Sequence, residues 1–409
     1  MTVLRLPIFK QILNFFILLL ISITELGVAD VYDELDISGN IAFQLRGFTQ
    51  NSMWLDQNTS DIESSVSGEW EIRWRSKSND QRMSFIPFAR WDENDKKRSH
   101  FDFREAYWAY QNKDVELLLG LNKVFWGVAE SVHLVDIINQ TDLVENINQE
   151  EKLGQPMIRL AFQEDYGLLS LYLLPYFRER SFPGSDGRFR GETVINADNA
   201  KYQSSSKRKH TDFAIRYSHY FGDVDLGLYY FNGTNRDPRL SMEGNNSELL
   251  LNYDQIEQIG LDFQYTYSSW LWKLESFIRD GYADSIFAGV AGFEYTFYQI
   301  FDGASDIGIL FEYQYDDRSS AESMTTADND FFFGSRWTSN NMNDGSILVG
   351  VVLDKKTSET FYSIEAKTRL KENFLLSLEL KAITNSELGE PNFPQSRDDY
   401  LEIQISHFF

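Results

Sequence analysis

Seven arginines recur at alternating positions in the first part of the chain: Arg46, Arg73, Arg75, Arg82, Arg90, Arg104 and Arg159. A guanidinium stays charged at any working pH, and its planar fork of donors fits a carboxylate or a phosphate. Glu69, Glu71, Asp102 and Glu116 stand among them. The set therefore reads in two ways, as a ladder that guides anionic or polyhydroxylated solutes or as a polar wall stiffened by its own ion pairs. A second set follows between 123 and 154: Lys123, Trp126, Glu130, His133, Asp136, Asn139, Asp142 and Glu145, mixed with Val135, Ile137 and Ile138. An acidic segment facing a basic wall would lay a transverse field across the space between them, orienting polar solutes and resisting apolar ones.

Nucleophilic catalysis needs a nucleophile, a base and an orienting group together. The chain has five histidines, His100, His133, His210, His219 and His407. Only His210, with Asp212 and Ser204–Ser206 close in sequence, resembles such a group, and those residue types are common in surface loops. Neither HExxH nor GxSxG occurs. No spacing suggests a metal site, and no cofactor is expected.

The elements that must carry these residues are strands. From 35 onward, apolar and polar residues alternate over short runs bounded by turn signals. In 101–110, Phe101, Phe103, Tyr107 and Ala109 share one parity and Asp102, Arg104 and Tyr110 the other. In 115–122, Val115, Leu117, Leu119 and Leu121 alternate with Glu116, Leu118, Gly120 and Asn122. Ile86, Phe88, Trp108 and Leu118 are the apolar exceptions at the polar parity. The count is eighteen strands, with sixteen as the alternative if one has been split. Connections after odd strands are long and polar (50–63, 123–154, 178–208, 234–253, 383–397), and those after even strands are short. This is an all-β reading: a transmembrane antiparallel β-barrel with long extracellular loops, short periplasmic turns and both termini on the periplasmic side. The last strand is amphipathic and ends at Phe409, which resembles the assembly signal of bacterial outer-membrane proteins and implies barrel-assembly machinery as a partner.

Composition agrees. Aromatic residues make up 15% of 409 and charged residues 24%, while mean hydropathy is only −0.38. Strands that alternate lipid-facing and water-facing residues produce that combination. Residues 12–23 form an apolar run shorter than the roughly 20 residues a spanning helix needs. With Gly27 and Ala29 behind it, this run predicts a signal peptide over 1–29 and a barrel over 30–409. There is no cysteine and the formal net charge is −24, which argues against disulfide stapling and against nucleic-acid binding. The expected address is the outer membrane of a Gram-negative bacterium, among lipid and lipopolysaccharide.

The runs Arg104–Tyr107 (REAY) and Gly120–Gly127 (GLNKVFWG), followed by Asp136, Asn139 and Asp142-Leu143, resemble the early strands and third loop of bacterial outer-membrane porins of the phosphate-selective type and of related porin-like families. The resemblance covers about 45 residues. It implies a channel with an inward loop after the fifth strand, in a monomer or homotrimer. The resemblance does not give a substrate: the wall is arginine-rich and the loop acidic, and the lysine-rich region expected of a phosphate channel is not evident. The expectation is passive diffusion of small polar or anionic solutes through an arginine-lined bore narrowed by 123–154. Three alternatives compete: a segment 123–154 lying outside as a lid, a barrel enzyme of lipase or protease type, and a plugged structural or adhesive barrel.

Overall fold

The computed structural model describes residues 35–242, 248–281, 285–300, 303–318, 325, 328–390 and 392–409. The predicted leader and the expected mature start at Asp30 lie outside the described residues. In β1 (Leu35–Phe48), Ile37, Ile41, Phe43 and Leu45 are exposed, and Ala42, Gln44 and Arg46 between them are buried. In the last strand, β21 (Tyr400–Phe408), Leu401, Ile403 and Ile405 are exposed while Glu402 and Ser406 are buried. Apolar outside and polar inside inverts the pattern of a water-soluble sheet. It suits a wall whose outer surface meets hydrocarbon, where every backbone group must be paired within the sheet.

The other strands are β2 (Ile62–Arg75), β3 (Gln81–Asp92), β4 (His100–Gln111), β5 (Val115–Asn122), β6 (Gln155–Glu164), β7 (Gly167–Leu174), β8 (Val194–Tyr202), β9 (Asp212–Phe221), β10 (Val224–Thr234), β11 (Arg239–Met242), β12 (Glu248–Tyr253), β13 (Gln255–Tyr267), β14 (Trp270–Asp280), β15 (Ile286–Phe297), β16 (Asp306–Asp316), β17 (Asn329–Thr338), β18 (Ser346–Asp354), β19 (Thr360–Lys371) and β20 (Phe374–Thr384). All but β8, β11 and β12 join one antiparallel sheet of 18 strands, and β1 pairs with both β2 and β21, so the sheet closes. The expected eighteen strands are therefore present. At the seam, Gly39 and Phe409 exchange two backbone hydrogen bonds of 3.0 Å. The connections 49–61, 123–154, 175–211, 235–254 and 385–399 leave one end of the barrel, and tight turns such as 165–166, 222–223 and 372–373 close the other. The three remaining strands form a small separate sheet within two of the long connections.

Two barrel strands depart from simple alternation: β19 slips by one residue between Arg369 and Lys371, next to its turn, and β4 does so within the wall. Pro87 opposes Phe103 and Ile86 opposes Glu105, which leaves Arg104 as the extra residue of a β-bulge. A bulge shifts parity for everything beyond it. Tyr107 and Ala109 consequently lie on the inward face opposite Ser84 and Arg82, and Trp108 lies outward opposite Met83. The sequence reading had Tyr107 and Ala109 with Phe101, and Trp108 inward. It missed the bulge because one extra residue leaves no mark on composition.

Candidate functional site

Segment 123–154 starts from Lys123, half-buried directly after β5. Asn139 ties its two feet together: its Oδ1 accepts from the Val124 N–H at 2.8 Å, and its Nδ2 donates to the carbonyls of Asn122 and Leu153 at 2.9 and 2.8 Å. Trp126, Val135, Ile137 and Ile138 are buried against Ala109, Leu118, Tyr172, Tyr229 and Phe231, inward-facing residues of β4, β5, β7 and β10. The Trp126 ring lies 5.6 Å from Tyr172 and 5.0 Å from Tyr229, with the Arg216 guanidinium 5.0 Å above it.

The tip reaches strands far around the ring. The Val128 and Ala129 N–H groups donate to Glu275 of β14 at 2.6 and 2.8 Å, and those of Glu130 and Ser131 donate to Glu312 of β16 at 2.7 and 2.8 Å. The Glu130 carboxylate then meets Arg336 of β17 at 2.5 Å. Gly127 makes this turn possible. Its φ is +143°, and a Cβ there would lie 2.9 Å from a Glu275 oxygen and 3.3 Å from His133 Nδ1. His133 packs edge-on against Phe125. Burial, and then the Lys152 charge, push its imidazole down to about 4, so it is neutral at physiological pH. Asp136 lies 3.4 Å from Lys152, and burial raises its carboxyl above the ordinary range.

On the return path, Asp142 is paired with Arg104 at 2.9 Å and accepts from the Ser181 hydroxyl. Glu145 is paired with Arg90 at 2.9 Å and lies 3.8 Å from Arg104. Burial raises the Glu145 carboxyl, but Arg90, Arg104 and Arg98 overcome that and hold it down at about 2. Asn146 then donates to Glu379 of β20 at 3.3 Å.

The seven arginines fall into separate groups. Arg46 binds Glu402 at 2.6 Å beside the seam. Arg73 binds Glu71 at 2.6 Å, and Arg82 and Arg159 share Glu116, all toward the turn end. Arg90 and Arg104 hold the long segment. Arg75 alone has no ion pair among the described residues. Arg98, outside the sequence-predicted set, joins the Arg90 group by donating to Asp92 at 2.6 Å and to Gln44 at 2.7 Å.

The acidic wall was missed by sequence reasoning, although a signal existed. Ser363-Ile-Glu-Ala-Lys367 and Ser377-Leu-Glu-Leu-Lys381 repeat one pattern on adjacent strands, and pairing sets Glu365 directly opposite Glu379. Like charges in that register are destabilising. Both face a cavity of about 600 Å³ between segment 123–154 and the inward side of β17 to β21. The cavity runs from Gln44 and Glu402 to Asn340 and Asp344 of the turn after β17. Among the described residues, eight acidic side chains line it against three basic ones, Arg90, Arg336 and Lys367. At the loop end of β17 and β18, Asp328, Asp330 and Asp354 converge with carboxylate oxygens within 4.8 Å, and Lys356 partly neutralises them at 2.7 Å from Asp328.

No protein-family model matches the chain, and no curated protein matches it. Among solved structures, variants of the Rhodopseudomonas blastica porin are similar at 11% identity with a TM-score of 0.44, and at 12% with 0.42, each over 92% of this chain and 100% of the porin. A structure described as "Asymmetric conductivity of engineered proteins" is similar at 11% and 0.43 over the same shares. The closed ring of eighteen strands, with long loops at one end and tight turns at the other, is by its own architecture a porin-like β-barrel.

Proposed function

We propose that the protein is a porin-type channel of the bacterial outer membrane that passes small hydrophilic solutes and prefers cations. The carrying observation is the hydrophilic cavity left between segment 123–154 and the wall of β17 to β21, with its excess of carboxylates. In this reading 123–154 is an inward constriction, since it binds Glu275, Glu312 and Arg336 on the inner side of distant strands. The exposed apolar belt meets outer-membrane lipid, the long loops lie among lipopolysaccharide, and the strand ending at Phe409 engages the assembly machinery.

The arginines act here as fasteners. Six of the seven are held by carboxylates, which leaves few free guanidinium donors for an anionic solute. The carboxylates Glu150 and Glu365 line the passage without an ion pair among the described residues. Charged rings set ion preference in pores, so the passage favours cations over the anions that an arginine-lined bore would select. The enzyme reading gains nothing from His210. Its Nδ1 meets Asp212 at 2.8 Å, but that carboxylate also holds Thr234 and Arg236.

Single-channel recording with a salt gradient tests the proposal. Steady conductance with a cation-selective reversal potential is expected. Anion selectivity would return control to the arginines, and silence from a folded barrel would mean a plugged one.

A further inference from the structure

Segment 175–191, between β7 and β8, carries Arg178, Arg180, Arg188 and Arg190. A surface loop would leave these charges in water, yet here three of the four are buried: Arg180, Arg188 and Arg190. The segment can be followed by its contacts. Arg178 reaches Asp102, on the inward face of β4, at 2.9 Å, and the Gly154 carbonyl at 2.9 Å. Arg180 donates to Gln140, and Ser181 donates to Asp142, so the segment lies directly on 123–154. Next, the Gly184 N–H donates to Asp95 of the β3–β4 loop at 2.9 Å, and the Asp186 carbonyl accepts from Asn58 of the β1–β2 loop.

The far end is fastened at the seam. Phe189 packs on Phe48 and Tyr400, the inward residues at the loop ends of β1 and β21. Arg188 is almost wholly buried. Its Nε donates to Asp398 at 2.7 Å, its Nη2 donates to the Gln50 carbonyl at 2.5 Å, and its guanidinium lies 4.4 Å over the Phe48 ring. The Arg188 carbonyl in turn accepts from Gln57 at 2.6 Å. One side chain therefore joins the strap to the loops after β1 and β20.

We infer that segment 175–191 is a second constriction, stacked on the first at the long-loop mouth, and that Arg188 is its positioning residue. The strap spans from β7 to the β21–β1 seam on inward-facing residues, so it cuts a chord across the mouth. Entry is confined to the remaining side, in line with the passage beside β17 to β21. The pore is accordingly asymmetric: the size limit for entry is set at the long-loop end, and ion preference is set lower down. This inference rests on the channel reading above.

The test uses the full-length protein inserted in one orientation in a planar bilayer, with polyethylene glycols of increasing size added to one side at a time. Polymer entry is read as a fall in conductance. The native channel should exclude smaller polymers from the long-loop side than from the turn side. Arg188→Ala should move the loop-side cut-off to the turn-side value, with the reversal potential unchanged. Arg188→Lys keeps the charge without the fork and should move it part of the way. Equal cut-offs from the two sides in the native channel overturn the inference while leaving the channel intact, and this comparison needs no variant. So does an unshifted cut-off in an Arg188→Ala barrel shown folded by heat-modifiable gel mobility. Absence of conductance in the native protein removes the channel reading, and this inference with it.

Discussion

Glu145 and Glu150 lie five residues apart and their carboxyls move in opposite directions. Glu145 is buried among Arg90, Arg104 and Arg98 and is held at about 2. Glu150 lines the cavity beside β17 to β21. Enclosure by the barrel, then Glu365 and behind it Glu379, push it up to about 7. The consequences separate by pH. Glu150 is neutral below about 7 and charged above it, so cation preference should grow between roughly pH 6 and 8. Reversal potentials across that window check this, and Glu150→Gln should flatten the change. A carboxyl depressed in the folded state stabilises fully above its unfolded value, near 4.3, and that stability is lost as pH falls through the folded value. The hold on 123–154 should therefore persist from neutral pH to about 4.5 and weaken between there and about 2, seen as rising current noise. Arg104→Ala should do the same at neutral pH. It strands Asp142 in a buried site while Glu145 keeps Arg90, and breaking a buried pair costs about 3–5 kcal/mol. A denaturation midpoint unchanged by that substitution would mean that the loop has another fastener.

At the scale of elements, strands were legible and irregular segments were not. Eighteen strands could be read because each lies between turn signals and each has one lipid-facing row. In β21, Leu401, Ile403 and Ile405 can be used nowhere else. The reading failed where the period breaks, at the Arg104 bulge, and that is also where an arginine turns toward segment 123–154. Trp126, Val135, Ile137 and Ile138 stood out as apolar residues in a polar loop, and they are its buried anchors. The strap 175–191 gave only a mixture of Arg and Phe with Pro183, Gly184 and Gly187. Its path is fixed by partners from strands β1, β4 and β21 and from several other connections, which no local pattern encodes. Gly127 tests the tip of 123–154 as an element. With φ at +143° and Glu275 beside it, Gly127→Ala is strained by about 1–3 kcal/mol. The tip should leave Glu275 and Glu312, and single-channel conductance should rise. Replacing 128–134 with a short flexible linker should raise it further. If both variants conduct as the native protein does, the segment does not constrict the pore.

The whole molecule divides its work by charge. Its formal net charge is −24, yet its arginines concentrate where chain segments must be fixed, at the seam, under 123–154 and along the strap. Carboxylates left over from those pairs, Glu150 and Glu365, line the cavity beside β17 to β21. The placement has an electrostatic cost: Glu365 opposite Glu379 is a like-charge pair in adjacent strands, and such pairs destabilise a sheet by about 0.2–1 kcal/mol. A purely structural wall would gain by losing one of them. Glu365→Gln should therefore make the barrel slightly more resistant to heat or urea while reducing cation preference, and Glu365→Lys should reduce that preference further. Gel mobility after graded heating reads the first effect, and reversal potential reads the second. The two move in opposite directions only if the carboxylate is kept for conduction. A Glu365→Gln barrel that is less stable, with unchanged selectivity, would make the residue part of the scaffold and leave the ion preference to Glu150 and the loop.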